Sequence, residues 1–327
     1  MLVRLLARAS GLIATAVVLL SVHSAVAADK VTLRLDFVNT GFHAIWYYGI
    51  DQGIFKENGI DLDVLQGQGS ASTAQTVGNG SVMFGTADTA TVMGFVSQGM
   101  PIKIVGGYMR ESPLAIIFPA DKGWKSFSDL SGKIGFSAGG ASADILPALL
   151  KAAGAENKVE LINMDPATKL TALLTGRVDG VDSFGFLVVA ILEAKGMKVS
   201  TLPYAKAGIN VPGLSLIAND AVVEKQPDIV RRMVKALDES IASSRKNPEA
   251  AIDAIMKRTS TMERPVALRT LLLSFDLLDP DWAKGKPASW MSPEIIAKSQ
   301  DILFEHGIVK QKLPIDRYFT NKYVPAG

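Results

Sequence analysis

Asp36 and His43 are the residues whose types and spacing bear most directly on chemistry. The segment Val31-Thr32-Leu33-Arg34-Leu35-Asp36-Phe37 alternates apolar and polar residues, so Asp36 lies at the end of a strand. His43 comes seven residues later, at the start of an expected helix. A carboxylate in such a place accepts hydrogen bonds from an amino group on a ring and repels an anion. An imidazole beside it donates to a ring nitrogen. Two plainer roles stand next to these: Asp36 pairs with Arg34 on the same strand face, and His43 helps to cap its helix. Trp46, Tyr47, Tyr48, Tyr108, Phe184 and Tyr204 are candidate stacking surfaces for a flat ligand, although two of the three adjacent aromatics at 46–48 must point into a core.

A second group of candidates sits where helices begin. Ser70 after Gly69 and before Ala71, Asp88 before Thr89, and the Gly140-Ala141-Ser142 turn each place free backbone N–H groups at a helix N-terminus. Such groups suit carboxylates, sulfonates or ring acceptors, and equally serve as ordinary caps of their own helices. Arg110 is a candidate for holding an anion, or else a solvated surface charge. Thr40 and Asp182 complete the candidate ligand contacts.

Catalytic constellations are harder to find. Cysteine is absent, which excludes Cys nucleophiles, thiolate metal sites and iron–sulfur clusters. Of three histidines, His23 lies in the leader, and His43 and His306 lie at opposite ends of the remaining chain. No H-E-x-x-H, G-x-S-x-G or P-loop pattern occurs. Neither a cofactor nor a metal is expected.

Arg4 and Arg8, an apolar run from Gly11 to Leu20 and Ala25-Val26-Ala27 read as a secretory signal cut after Ala27. The run is about half the ~20 residues of a spanning helix. The chain carries 34 basic and 32 acidic residues, and the two basic residues of the leader account for the whole excess. A nucleic-acid binder would show a basic surplus, so none is expected as a partner. A 48% hydrophobic, 20% charged composition suits a packed globular protein, and residues 28–327 are enough for two lobes.

The elements that must position these residues alternate between strand and helix, the pattern of α/β layers. Strands are expected at 31–37, 60–65, 82–85, 102–105, 133–136, 159–162, 178–181 and 197–201. Helices are expected at 42–51, 70–78, 141–153, 166–175, 187–195, 249–258, 265–275 and 293–306. Ile229, Val230, Met233, Val234, Leu237 and Ile241 form one apolar stripe at helical spacing. The segment 114–118 reads as extended chain leaving a first lobe, and the chain returns to it around 211–214. This gives a signal at 1–27, a discontinuous lobe I of 28–117 plus 214–327, and an inserted lobe II of 118–213.

Several passages carry a family resemblance. They are Gly49-Ile50-Asp51-Gln52-Gly53-Ile54-Phe55-Lys56-Glu57-Asn58-Gly59-Ile60-Asp61, Gly67-Gln68-Gly69-Ser70, Phe84-Gly85-Thr86-Ala87-Asp88-Thr89 and Gln98-Gly99-Met100-Pro101-Ile102-Lys103. In the second lobe they are Asp129-Leu130-Ser131-Gly132-Lys133-Ile134-Gly135 and Leu173-Leu174-Thr175-Gly176-Arg177-Val178-Asp179-Gly180. In this order and spacing the chain resembles the nitrate/sulfonate/taurine family of ABC-transporter solute-binding proteins, near its thiamine-pyrimidine branch. The resemblance implies a type II periplasmic binding protein fold: two three-layer α/β lobes, joined by a two-strand hinge, that close on a small solute. It implies delivery to an inner-membrane permease driven by a cytoplasmic ATPase, from a periplasmic monomer that is not an enzyme. The branch has a similar strand-end Asp and a His at the same spacing, which favours a pyrimidine-like solute over a sulfonate or organic acid. Phe37-Val38-Asn39-Thr40-Gly41 departs from the Trp and Asn-rich loop of that branch, and Asp182-Ser183-Phe184 replaces a Trp-rich segment. The branch's pyrimidine-synthesising enzymes carry a cysteine-rich motif that is missing here. A pyrimidine-processing enzyme or a ligand-sensing receptor domain on the same fold are the alternatives.

Overall fold

The structure is a computed structural model that describes residues 28–137, 142, 145–260 and 262–326. The leader and its cleavage site, together with Gly140 and Ala141, lie outside the described residues.

Ten strands form two sheets of five. β1 (Asp29–Arg34), β2 (Ile60–Leu65), β3 (Phe84–Asp88) and β4 (Ile102–Gly107) precede the first crossing. β5 (Leu114–Pro119), β6 (Gly132–Phe136), β7 (Val159–Asn163), β8 (Gly180–Phe184) and β9 (Val199–Pro203) come after it, and β10 (Leu214–Asn219) comes after the return. The first sheet has the order β2-β1-β3-β10-β4 and the second β7-β6-β8-β5-β9. In each sheet four strands run the same way and the fourth in line runs antiparallel to both its neighbours. That antiparallel strand is always the one that has just crossed from the other lobe.

Two expectations change here. The segment around 114–118 does not belong to lobe I, because β5 hydrogen-bonds only to β8 and β9. The return is expected as an extended crossing at 211–214 with no sheet strand after it, yet β10 fills the slot between β3 and β4. Its run Leu-Ser-Leu-Ile-Ala-Asn is too short and too uniformly buried to show a clean alternation.

The helices are α1 (Ala44–Asp51), α2 (Ile54–Glu57), α3 (Ser70–Gly78), α4 (Thr89–Val96), α5 (Ile145–Ala152), α6 (Pro166–Leu174), α7 (Gly185–Ala194), α8 (Asp220–Lys225), α9 (Pro227–Lys246), α10 (Pro248–Met256), α11 (Arg264–Leu278) and α12 (Pro293–Glu305). They cover both faces of the sheets. Leu33, Leu214, Leu216 and Ala218 meet α1, α9 and α10 on one face. Ile104 and Ile217 meet Val77 of α3, Met93 of α4 and Ile296 of α12 on the other. The predicted stripe on α9 is core, with Val230, Met233, Val234 and Leu237 fully buried.

The crossings are tied to each other. Met109 N–H donates to Leu214 O at 2.7 Å, Gly213 N–H donates to Met109 O at 2.9 Å, and Ser112 N–H donates to the Asn210 side chain at 3.2 Å. A few element-terminal residues therefore carry the connection, as a hinge requires. The lobes also touch away from the crossings. Phe186 of α7 meets Phe42 edge-on at 5.3 Å, and Arg269 of α11 donates to Glu193 of α7 at 2.8 Å.

The turn that leads into α1 rests directly on α11. A Cβ on Gly41 would lie 1.9 Å from the Ala267 carbonyl oxygen, a backbone atom that cannot yield. Gly41→Ala is expected to destabilise the protein by about 1–3 kcal/mol through overpacking. Urea unfolding checks this, and an unchanged midpoint would show that the turn is not so tightly seated.

Candidate functional site

The strand-end residues of lobe I form one buried polar cluster. Asp36, just past β1, is 5% exposed and His43 is fully buried. The Thr40 N–H donates to His43 Nδ1 at 3.1 Å, which requires a lone pair there. The ring proton therefore sits on Nε2, which donates to Asp36 Oδ1 at 3.0 Å. Thr86 of β3 donates its hydroxyl to the same oxygen at 2.9 Å and accepts the Asp36 N–H at 2.9 Å. Asp36 Oδ2 has no hydrogen-bond partner among the described residues. The cluster thus holds a carboxylate rigidly by one oxygen and leaves the other for a donor.

This settles the two plain roles expected of these residues. Arg34 does not pair with Asp36; its guanidinium reaches Ser72 and Thr76 on α3, each at 3.3 Å. His43 does cap its own turn, through Thr40. With both ring nitrogens engaged and no exposed surface, it orients Asp36 and cannot donate to a ligand ring.

The neighbouring loop packs against Asp36. Gly69 N–H donates to Asp36 O at 2.8 Å, and at φ 119° Gly69 takes a backbone shape that suits glycine. Ser70 was expected to cap α3. Instead Gly69 is the N-cap, and Ser70 Oγ accepts the Asp88 N–H at 3.0 Å, while Ala71 is exposed on α3. Asp88 caps α4 as expected, accepting the Thr91 N–H at 3.2 Å. Burial pushes its carboxyl up to about 6, with repulsion from Asp36 adding to the effect. Thr89, a candidate ligand contact, is fully buried and spends its hydroxyl on Gly213 O and Ser215 Oγ, each at 2.7 Å.

Lobe II presents a second cluster. Asp182 is 2% exposed and accepts hydrogen bonds from Ser142 Oγ and from the Tyr204 hydroxyl, the latter at 2.9 Å. Burial raises its pKa, against the opposing pull of Ser142, Lys169 and Tyr204. Lys169 of α6, which is not among the residues expected at a site, donates to Asp182 O at 2.6 Å and is itself almost wholly buried. Its position beyond the end of the β6–β8 ladder explains why that carbonyl is free for a side chain. A lysine one turn into an amphipathic helix gives no sequence signal of this.

Most of the aromatic candidates are core. Trp46 and Tyr108 pack edge-on at 5.7 Å with no more than 1% exposure, and the Tyr108 hydroxyl donates to Phe42 O. Tyr204 is fully buried beside Phe127, its hydroxyl on Asp182. Large rings with a polar tip are at home in a core where that tip finds a partner, as both tyrosines do. Phe184 is only half-buried, stacked on Phe186 at 6.1 Å, and keeps surface for a ligand. Phe37, not singled out from the sequence, is 44% exposed immediately after Asp36. Arg110 is neither a ligand cation nor a surface charge. It is fully buried and donates to Leu278 O, Pro287 O and Asp279 Oδ1.

Two α/β lobes with five-stranded mixed sheets, a double crossing and polar residues gathered at strand ends define the periplasmic binding protein fold. Residues 40–251 match the family described as NMT1/THI5 like, and the chain belongs to that family. It is 23% identical over 314 residues to the riboflavin-binding protein RibY of Chloroflexus aurantiacus, covering 91% of this chain and 87% of that protein. It is 24% identical over 245 residues to the formylaminopyrimidine-binding protein of Halalkalibacterium halodurans, covering 73% and 74%. Among solved structures, the periplasmic aliphatic sulphonate binding protein SsuA from Escherichia coli superposes with a TM-score of 0.68 at 16% identity, over 88% of this chain and 91% of that one.

Removing the donors of Asp36 should show how much they hold. Thr86→Val, nearly isosteric, is expected to cost about 1–3 kcal/mol in urea unfolding at pH 7. His43→Leu, which also strands the Thr40 N–H, should cost more. Equal, near-zero effects would mean that Asp36 is solvated in solution.

Proposed function

We propose that the protein is the periplasmic solute-binding component of an ABC importer. It holds a small, flat heteroaromatic solute without chemical change and presents its closed form, as a monomer, to an inner-membrane permease with its cytoplasmic ATPase. The observation that carries the solute class is the Asp36 carboxylate, fixed through Oδ1 and free at Oδ2, a fitting acceptor for a ring amino or ring N–H group. Asp88, at the end of β3, and Asp182, within β8, add two further buried acids, which disfavour a sulfonate or other anion. Arg110, the sequence's candidate for an anionic ligand, is occupied elsewhere. Phe184 and Phe37 offer exposed ring surface for stacking. The names of the two relatives, for riboflavin and formylaminopyrimidine, agree with a nitrogen heteroaromatic. His43 and Tyr204 are each bonded to a neighbouring acid, Asp36 and Asp182, which favours binding over catalysis. The signal read at 1–27, cut after Ala27, accounts for export.

A thermal-shift panel on ligand-free protein tests this reading with aminopyrimidines, riboflavin, taurine and alkanesulfonates. A solute at ~100 Kd adds about 2.7 kcal/mol of stability. Amino-bearing heteroaromatics are expected to bind, and Asp36→Asn to weaken them by about 10- to 100-fold, the worth of one charge-assisted bond. Tighter binding of a sulfonate, improved further by Asp36→Asn, would reverse the assignment. Conversion of a bound solute, followed by mass spectrometry, would replace the binder with an enzyme.

A further inference from the structure

Asp88 stands at the junction of everything that must move when the lobes open. Asp88 lines a nearly filled crevice, with about 10 Å³ of free space, whose other walls are Ser112, Pro113 and Leu114 of the first crossing, Ile209, Val211 and Pro212 of the second, and Ile145 of α5 in lobe II. Its donors come from its own helix: the Thr91 N–H at 3.2 Å, the Thr91 hydroxyl at 3.5 Å and the Ala90 N–H. From β1 it faces Asp36, a like charge. From α3 it faces the Ser70 hydroxyl, which is occupied by the Asp88 N–H. From β10 it faces Leu214, its register partner. The wall that closure brings over it carries one hydroxyl, Ser112, whose oxygen takes the Leu114 N–H at 3.4 Å; it is otherwise apolar and holds no counter-charge among the described residues.

We propose that closure of the two lobes takes up a proton at Asp88, so that the protein closes more readily where this carboxyl is neutral. In the open form, with Ile145 withdrawn, water solvates the carboxylate. In the closed form, apolar side chains replace that water, and a charge there is costly. The raised pKa agrees: burial is its largest cause and the carboxyl titrates at about 6. Linkage fixes the sign. The closed state's advantage is complete below the ordinary carboxyl range, is lost as pH rises through about 6, and is flat above. For a solute that carries no charge of its own, binding is then tighter in acid, by up to about tenfold per pH unit across that window. A solute that brings a positive charge to Asp88 replaces the proton and escapes the dependence.

The natural absence of cysteine makes a ligand-free test direct. Gln68→Cys in lobe I and Asn157→Cys in lobe II, both exposed and uncharged, accept a donor–acceptor dye pair for single-molecule energy transfer. The ratio of closed to open molecules is expected to fall by about tenfold or more between pH 4.5 and pH 7.5. Asp88→Asn, which keeps a good helix cap and mimics the neutral acid, should stay closed at both values. Asp88→Ser, also a cap and also uncharged, should likewise lose the pH response and stay closed, and circular dichroism melts verify that both fold. Asp36→Asn should retain a response. An unchanging ratio in the parent protein, the same response in Asp88→Asn, or loss of the response in Asp36→Asn alone would overturn the proposal. None of these outcomes depends on which solute the cleft takes.

Discussion

The Asp36 carboxylate can stay buried only because two other elements come to it. A carboxylate withdrawn from water needs donors at close range, or it will neutralise or disrupt the packing around it. His43 arrives from the turn before α1 and Thr86 from the adjacent strand β3. Each is held in turn. The His43 turn is pressed against α11 at Gly41, and β3 is locked between β1 and β10. One hydrogen-bonded oxygen thus draws on β1, β3, α1 and α11, and through β10 on the return of the chain from the other lobe.

The two lobes are exchanges of one scheme. Each sheet takes its antiparallel strand from the chain segment that has just crossed over, so neither sheet is complete until the other lobe's path is traced. This places the crossings beside each other and close to the strand ends where polar residues collect. The crevice around Asp88, the Thr89–Gly213 bond and the Met109–Leu214 bonds are consequences of that single arrangement.

Polarity is divided between the lobes in an informative way. Asp36 and Asp88 sit at strand ends and Asp182 within β8, each with donors matched to part of its capacity, while Arg110 is consumed by two carbonyls and Asp279. Aromatic bulk went largely to the core, where Trp46, Tyr108 and Tyr204 fill volume. Phe37 and Phe184 keep exposed surface, and each stands within two residues of a buried acid, Asp36 or Asp182.

Much of this was legible in the chain. Alternation and helix punctuation located nine of the strands, counting the extended segment at 114–118, and nearly all the helices. The strand-end Asp, the His seven residues on and the capping Asp88 were visible as types at spacings. Those features are local, and local sterics and periodicity determine them. The partner of Asp36, the fate of Arg110, the role of Ser70, the sheet that owns β5 and the existence of β10 were not legible. Each depends on what lies across a sheet or a crossing, often far away in the chain. Sequence determined which groups stand at the ends of the strands; only the tertiary structure decided which were spent on one another and which were left for a ligand, because hydrogen bonds and burial are settled by neighbours in space.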